Sequence, residues 1–413
     1  MEASKKRLIL FTEAFPYGDG EQFLETEIEY LAKCFDEILV IPFKSGCRGK
    51  IKNLPKNVRT EEPLFGLSKT KLILRGIFNI APVGFGIKEF FKKRVFLNIK
   101  RLKSWLETTL QIRILLRNKV IRSVFSKEYS CCIYYFYWGL YAANIIPFVA
   151  ESMRTPKIVR FHGSDLYEEV SHNYIPYRDL LLNSMSFGLC VSQNGLDYLK
   201  KRYASIPFEA GVFRLGVKGN GMSKASTDDV LRILTCSSLV PVKRIHLIID
   251  ALRDLTIKVH WTHIGSGPLE KKLKSMAESL PANIEINFTG KLDNQEVYEF
   301  YRSQPVDLFI NVSESEGMPV TIMEALSMGV PILAADVGGV GEIVDGTVGR
   351  ILDKNVSPDK IGEEMNDFYR MTEEDKKNLR AGAFEKWKER CNADKEYKKL
   401  YSFLDNLYLN FRA

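Results

Sequence analysis

Residues 306–335 read VDLFINVSESEGMPVTIMEALSMGVPILAA, and their pattern decides the fold. The run Val306–Val312 has the apolar composition of a buried strand, whereas Pro319–Met328 has the spacing of a helix with proline in its first turn. A glycine and a second proline end this helix before another apolar run begins. A strand, a helix and a further strand in this order predict a parallel sheet that is covered by helices.

Two carboxylates lie eight positions apart in this stretch. Glu316 precedes the predicted helix, and Glu324 lies about two turns inside it. The backbone N–H groups of Gly317 to Val320 would point outward at the helix start, where they and the helix dipole favour an anion such as a diphosphate. One carboxylate on either side of that anion could hold the hydroxyls of a sugar and a ribose. The alternative is that the two Glu residues have only structural roles, as a helix cap and as part of a solvated helix face.

Composition indicates an ordinary globular protein. The chain has 413 residues, of which 45% are hydrophobic and 27% charged, and this length favours two domains. The seven cysteines include no Cys-x-x-Cys pair, which argues against a disulfide framework and against a structural zinc site. We therefore expect a protein of the reducing cytoplasm.

Residues 131–150 contain no charged side chain over nearly the length of a bilayer span. Gly139, Asn144 and Pro147 interrupt the segment, and its first half is aromatic. These features favour a buried strand at 131–138 followed by a helix at 140–149 over a membrane-spanning helix.

Positive charge is concentrated in residues 88–127, which contain twelve Lys and Arg against two Glu, a net of +10. Apolar residues alternate with these cations at helical spacing. Such a basic amphipathic segment suits an anionic membrane surface or a phosphate-bearing acceptor. A solvated helical face with an apolar core side is an equal alternative. No recognisable motif supports nucleic-acid binding.

Strands and helices alternate from residue 229 onward, and the chain begins in the same way. We predict the α/β class, with a Rossmann-like domain at 1–216, a Gly/Ser-rich linker at 217–228 and a second such domain at 229–390. Residues 391–413 are predicted to form a helix that packs back on the first domain. Because ligands bind beyond the carboxyl ends of parallel strands, we expect the two doubly wound sheets to face an interdomain cleft.

Several polar segments fall at predicted strand ends. Lys243 follows the first strand of the second half, where a cation could neutralise a diphosphate. Gly265 follows a later strand and would allow the backbone to approach a ligand closely. In the first half, a loop with Gly18 and Gly20 follows strand one, and His162 follows a later strand. Taken singly, each has an ordinary structural explanation.

Together and in this order, the segments resemble the retaining glycosyltransferases of family 4, of the bacterial polysaccharide and cell-envelope type. The resemblance is dense from residue 231 to 351. It includes the Glu-x7-Glu element, the Lys243 turn, the Ile-Gly-x-Gly-Pro loop and residues 336–344. It is sparser at Phe15-Pro-Tyr, His162-Gly-Ser-Asp, Val191-Ser192 and Arg214-Leu-Gly-Val. The fold that it implies is GT-B.

The resemblance also implies roles for individual residues. Lys243 would bind the donor diphosphate, Glu316 the transferred sugar and Glu324 the ribose, and His162 would lie near the anomeric carbon. The implied catalytic residues are His162, Glu316 and Lys243. Further donor-binding positions would be Gly265, Gly290, Lys291, Gly317, Met318, Pro319, Val320 and Thr321, and the acceptor-side phosphate loop would contain Gly18 and Gly20.

The chain departs from the family where a second diphosphate-binding cation usually lies. The family has Arg at the position of Ser238, five residues before Lys243. Arg244, where the family more often has Gly, is a hypothetical replacement for that charge. Ser266, where Asp is common, is a milder departure.

The implied function is transfer of a hexose from a nucleotide sugar to a lipid-linked or polysaccharide acceptor, in the biosynthesis of envelope or exopolysaccharide. We expect the enzyme to use no cofactor or metal, because fixed cations and a helix N-terminus can stabilise the leaving diphosphate. We expect a cytoplasmic location, with peripheral attachment to the inner membrane face. A nucleotide-sugar-binding protein without turnover and another GT-B enzyme, such as a sugar-nucleotide epimerase, are the alternatives. The residues do not specify the donor base, sugar, acceptor, linkage or oligomeric state.

Overall fold

A computed structural model of the chain describes residues 5–18, 21–45, 51–65, 83–126, 129, 131–149 and 155–412. The chain divides into two compact units. The first unit comprises Met1–Phe213 together with Tyr397–Ala413, and the second comprises Arg214–Glu396. Each unit contains one parallel sheet with helices connecting its strands, so the predicted α/β class with two Rossmann-like domains is confirmed.

The sheet of the first unit has the strand order β3-β2-β1-β4-β5-β6-β7 in the described residues. Its strands are β1 (Arg7–Thr12), β2 (Glu37–Pro42), β3 (Val58–Thr60), β4 (Cys132–Phe136), β5 (Lys157–Phe161), β6 (Phe187–Cys190) and β7 (Ala210–Val212). Its helices are α1 (Gln22–Ala32), α2 (Val83–Lys92), α3 (Ile99–Leu115), α4 (Lys119–Val124), α5 (Arg178–Ser184) and α6 (Gln193–Arg202). The central strands are mostly apolar because helices cover both faces of a parallel sheet.

The sheet of the second unit has the order β10-β9-β8-β11-β12-β13 in the described residues. Its strands are β8 (Val230–Cys236), β9 (Lys258–Ile264), β10 (Ile284–Gly290), β11 (Leu308–Asn311), β12 (Ile332–Ala335) and β13 (Gly349–Leu352). Its helices are α7 (Ile245–Leu252), α8 (Glu270–Ala277), α9 (Asn294–Ser303), α10 (Val320–Ser327), α11 (Pro358–Arg370) and α12 (Glu373–Arg390). A last helix, α13 (Ala393–Arg412), ends the chain.

Both sheets reverse their strand order at one point. In the first unit β1 pairs with both β2 and β4, and in the second unit β8 pairs with both β9 and β11. The loops that leave the carboxyl ends of the two strands at such a point diverge to opposite faces of the sheet. This divergence opens the crevice in which doubly wound folds bind their ligands.

The predicted linker at 217–228 packs on the second unit. Val217 N–H donates to the carbonyl of Cys391 (2.9 Å), and Ser223 N–H donates to the carbonyl of Met328 (2.8 Å). The hydroxyl of Ser226 donates to Asp307 Oδ2 (2.5 Å). Because these polar residues satisfy groups of the second unit, the division falls between Phe213 and Arg214, before the predicted boundary at residue 216.

The C-terminal helix begins at Ala393, two residues after the predicted start, and its residues from Tyr397 onward group with the first unit. Lys6 Nζ lies 2.5 Å from Asp405 Oδ1, and the rings of Tyr30 and Tyr397 lie 5.1 Å apart. A charged contact and ring packing therefore hold this helix against β1 and α1.

The uncharged segment contains the predicted strand and helix. Its first half forms β4, and Tyr141–Phe148 forms a 3-10 helix with Pro147 inside it. Proline lacks the N–H that an α-helical turn needs. No helix among the described residues combines the length and the apolarity that a bilayer span requires.

Candidate active site

Lys243 and Glu316 meet at the strand-order reversal of the second sheet. Lys243 ends a short 3-10 turn that follows β8, and Glu316 lies in the loop that follows β11, the neighbouring strand. Lys243 Nζ donates to Glu316 Oε1 at 2.6 Å, and Asn311 Nδ2 lies 3.4 Å from the same oxygen. Their side chains are 23% and 11% exposed, so a polar ligand can reach this charged pair.

Arg244 connects the two loops that carry this pair. Its Nε donates to the carbonyl of Val312 (2.6 Å), and its Nη2 donates to the carbonyl of Ser313 (3.1 Å). Glu314 N–H donates to the carbonyl of Val242 (2.8 Å) and completes the connection. Burial lowers the pKa of Arg244 from its ordinary value. Arg244 thus braces the Glu316 loop, and its contact with a donor diphosphate stays a prediction.

The start of α10 lies directly after Glu316. Pro319 is its N-cap, and the N–H groups of Val320 and Thr321 belong to the first turn, where no intrahelical acceptor is available. The loop after β12 packs closely here, because a Cβ on Gly338 would lie 1.8 Å from the carbonyl oxygen of Glu316. Glycine is therefore required at this position, which also has a positive φ of 56°.

Glu324 lies inside α10 with only 5% of its surface exposed. Asn294 Nδ2, at the start of α9, donates to Glu324 Oε1 at 2.6 Å. Burial raises the pKa of Glu324 to about 7, and the hydrogen bond from Asn294 opposes this rise. A buried carboxyl group with an elevated pKa is typical of a functional site, because folding alone does not favour it.

The loop positions Gly265 and Gly290 come together at the carboxyl ends of β9 and β10. Gly265 N–H donates to the carbonyl of Gly290 (2.8 Å). Gly265 has a φ of 141°, and a Cβ there would lie 1.9 Å from the carbonyl oxygen of Ser237. Lys291 follows directly on the exposed loop before α9. The predicted donor-side positions therefore share one edge of the second sheet.

His162 belongs to the first unit, where it follows β5. Its ring lies 4.2 Å from the ring of Trp138 and is also close to Phe23 and Tyr137. Its backbone N–H donates to Asp165 Oδ1 (2.7 Å). Both ring nitrogens are buried and have no hydrogen-bond partner among the described residues, and Nδ1 lies 3.9 Å from Asp165 Oδ2. Buried polar atoms normally have partners, so this ring is suited to bind a polar ligand group.

The loop after β1 is closed by a carboxylate of the chain itself. Glu21 accepts hydrogen bonds from the N–H groups of Glu13, Ala14 and Phe15, at 2.9, 2.8 and 2.7 Å. Trp138 Nε1 donates to the same carboxylate (2.6 Å). The predicted phosphate-loop residue Gly18 is buried, and Gly20 lies outside the described residues.

Sequence reasoning missed Asn294, Gly338 and Glu21. Asn294 lies 30 residues from the carboxylate that it contacts, and no pattern in the sequence connects the two. Gly338 lies within the family-like segment 336–344, and its repeated glycines were an available signal. No cluster of His, Cys, Asp and Glu that could hold a metal ion was found among the residues that the structure describes.

Comparisons with known proteins show what the chain is similar to. Residues 222–386 match the family "Glycosyl transferases group 1". The chain is 23% identical over 360 residues to a Bacillus subtilis protein named "Putative teichuronic acid biosynthesis glycosyltransferase TuaC", with 82% of each chain covered. It is 24% identical over 259 residues to "Putative colanic acid biosynthesis glycosyltransferase WcaL" of Salmonella typhimurium, covering 60% of this chain and 63% of WcaL.

The fold is also found in solved structures. The crystal structure of Anabaena Alr3699/HepE in complex with UDP matches with a TM-score of 0.67 and 17% identity, covering 97% of this chain and 100% of HepE. The fold is therefore GT-B. The chain is a glycosyltransferase, and its residues 222–386 are similar to the group 1 glycosyl transferases.

Proposed function

We propose that the chain is a cytoplasmic retaining glycosyltransferase of family 4, which transfers a hexose from a nucleotide sugar to a lipid-linked or polysaccharide acceptor in cell-envelope polysaccharide biosynthesis. The observation that carries the proposal is the contact of Lys243 with Glu316 directly before the first turn of α10. The names of TuaC and WcaL support this acceptor class, and the UDP in the HepE structure supports a nucleoside diphosphate.

The arrangement suits the departure of a nucleoside diphosphate. Cleavage of the sugar–phosphate bond places negative charge on the leaving group, and a Lys ammonium and helix N–H groups stabilise this charge more in the transition state than in the ground state. In the proposal, Lys243 and the first turn of α10 bind the diphosphate. Glu316 accepts hydrogen bonds from the transferred sugar, and Glu324 from the ribose hydroxyls. The two unpartnered nitrogens of His162 serve as hydrogen-bonding groups for the sugar.

The test is the release of nucleoside diphosphate from a panel of UDP- and GDP-sugars, with and without acceptor. Lys243→Gln and Glu316→Gln should each lower kcat/KM by at least about a hundredfold, because each removes one group that contacts the developing charge or the sugar. Lys274→Gln is the matched control, since Lys274 is a half-exposed helical lysine paired with Glu270. Activity of Lys243→Gln equal to wild type would contradict the assignment, and so would the absence of turnover with every donor.

Stereochemistry and metal use are tested in the same assay. The product should keep the anomeric configuration of the donor, as seen by NMR of a fresh reaction. EDTA should leave the rate unchanged, because Lys243 and helix N–H groups replace the metal in this proposal. An inverted product would refute the retaining assignment, and loss of activity restored by a divalent cation would refute metal independence.

We further propose that the basic segment of the first unit binds an anionic membrane surface. Six large apolar side chains between residues 87 and 106 are 45–77% exposed: Ile87, Phe91, Phe96, Leu97, Ile99 and Leu106. Exposed cations alternate with them, among them Lys88, Arg94, Lys100 and Lys103, whereas Lys92 and Lys93 pair with Asp179. Exposed apolar side chains interspersed with cations suit lipid tails and anionic headgroups, respectively. Lys127 lies outside the described residues.

Liposome sedimentation tests this surface. Binding should require anionic lipid and weaken with salt, since each Lys or Arg near the surface contributes about 1 kcal/mol of screened attraction. The double variant Leu97→Ser with Ile99→Ser should lose binding while it keeps activity on a water-soluble acceptor. Leu409→Ser, which removes a 57% exposed side chain from α13, is the control. Sedimentation that depends on neither lipid charge nor the 97/99 pair would refute the membrane surface.

A further inference from the structure

The contact between Asn294 and Glu324 in the second unit has no role in the function proposed above. Asn294 is the first residue of α9, which starts four residues after the end of β10. The helix start is fixed by a capping box, in which Asp293 accepts from Glu296 N–H and Glu296 accepts from Asp293 N–H. With its backbone held in this way, Asn294 directs its amide Nδ2 to Glu324 Oε1 at 2.6 Å.

This short hydrogen bond favours the charged form of Glu324, against the effect of burial. Among the described residues, the titratable side chains that interact with Glu324 include Cys236 at the end of β8 and Tyr298 and Tyr301 of α9. Burial raises the pKa of all three, so they remain neutral in the physiological range. Asn294 thus supplies a fixed donor at a position where a bare carboxylate would be costly.

We infer that Asn294 is a positioning residue for nucleotide binding, whose amide favours the ionised form of the Glu324 carboxylate and orients this carboxylate toward the ribose hydroxyls of the donor. This inference rests on the proposed function, because it assumes that Glu324 binds the ribose. It goes beyond that function by assigning a second helix, α9, to the recognition of the ribose. Loss of the amide leaves Glu324 in place but favours its protonated form, which is a poorer acceptor for a hydroxyl group.

The experiment is calorimetric titration of the full chain with UDP, GDP and 2′-deoxy-UDP at pH 6.5 and pH 9. Asn294→Ala should weaken binding of the preferred diphosphate about tenfold at pH 6.5, the loss that accompanies one hydrogen bond to a charged group. At pH 9 the ratio of variant to wild type should approach one, because Glu324 is then ionised in both. Taking this ratio cancels the titration of the ligand's own phosphate. Gln295→Ala is the control, since Gln295 contacts Glu299 on the exposed face of the same helix.

Two further measurements separate positioning from a general structural effect. Wild type should discriminate against 2′-deoxy-UDP, and Asn294→Ala should lose most of this discrimination. In a Glu324→Gln background, Asn294→Ala should have no further effect, because the residue acts through Glu324. Equal losses at both pH values, unchanged discrimination, or an additive double variant would each overturn the inference.

The outcomes distinguish this inference from the proposed function. If wild type binds UDP or GDP and Asn294→Ala behaves like wild type, the inference fails and the proposed function stands. If wild type binds neither diphosphate, the proposed function fails and the inference falls with it. A ligand-free readout checks the contact itself. The urea unfolding midpoint should decrease from about pH 4.5 upward in both proteins, and in Asn294→Ala this decrease should continue to a higher pH than in wild type. Identical profiles would show that the amide does not stabilise the Glu324 carboxylate.

Discussion

Replacing Glu324 with Gln should stabilise the folded protein at alkaline pH while it weakens donor binding. Burial raises the pKa of Glu324 from 4.5 to about 7. Each unit of this rise corresponds to 1.36 kcal/mol, so ionised Glu324 costs the folded state up to about 3 kcal/mol. Gln has nearly the same shape, and Asn294 Nδ2 can donate to its amide oxygen. The variant therefore removes the cost of the charge without leaving a cavity.

The sign of the effect depends on pH. Below pH 4.5 Glu324 is protonated in both the folded and the unfolded chain, so its elevated pKa has no effect on stability. Between pH 4.5 and about 7 the unfolded chain releases the proton while the folded chain retains it, and wild type loses stability as the pH rises. Above about pH 7 the full cost applies. The stabilisation by Glu324→Gln should thus be near zero at pH 4.5 and largest at pH 8.

Urea unfolding at pH 4.5, 6 and 8 measures this difference. Glu299→Gln is the control, because it removes the same formal charge from an exposed position on α9. We expect Glu324→Gln to raise the unfolding midpoint progressively with pH and Glu299→Gln to leave it nearly unchanged. A Glu324→Gln variant that is less stable than wild type at pH 8, or whose effect does not vary with pH, would refute the reasoning from burial.

Three more predictions concern the site and its loops. Arg244→Gln should lower kcat/KM mainly through disorder of the Glu316 loop, and it should also lower the unfolding midpoint. Lys243→Gln, in contrast, should impair catalysis without a change in stability. A stable but inactive Arg244→Gln variant would instead favour direct binding of the diphosphate by Arg244. Gly338→Ala should destabilise the second unit by more than about 1 kcal/mol, because its Cβ would overlap the Glu316 carbonyl, and wild-type thermal stability would contradict this. Glu21→Ala should lower thermal stability, since three backbone N–H groups lose their acceptor, and an unchanged melting temperature would contradict the closed loop.

The sequence predicted much of the architecture because its local signals agree with the fold. The strand predicted at Val306–Val312 contains β11, and the helix predicted at Pro319–Met328 contains α10. The strand is a continuous apolar run, and the helix has proline at its N-cap, so neither has a competing local signal. The Glu-x7-Glu spacing likewise placed one carboxylate on a loop and one in a helix, as the structure shows. Predictions of this kind depend only on residues that are separated by no more than one or two helical turns in the sequence.

Contacts between distant residues could not be predicted from the sequence. The polar stretch at 217–228 has the composition of a linker, and its backbone forms hydrogen bonds with residues as distant as Cys391, whose carbonyl accepts from Val217 N–H. The charge and position of Arg244 predict a diphosphate contact, but they do not indicate the carbonyls of Val312 and Ser313 to which it donates. The type of a residue determines which groups it can bind, whereas tertiary packing determines which of these groups lie close enough to be bound.

The two strand-order reversals show how one topology supports different chemistry in the two units. In the second unit the reversal holds Lys243 and Glu316, one charge of each sign from loops after adjacent strands. In the first unit the corresponding loops after β1 and β4 supply Glu21 and Trp138, whose hydrogen bond joins the two loops, and Glu21 also closes the β1 loop through the N–H groups of residues 13–15. The indole of Trp138 also packs on His162, so the closed loop indirectly fixes the ring with two unpartnered nitrogens. The second unit therefore presents charged side chains to a ligand. In the first unit the carboxylate of Glu21 is taken up by hydrogen bonds within the unit, and the rings of Trp138 and His162 remain as an aromatic and imidazole surface. Such a surface suits neutral sugar hydroxyls better than phosphate.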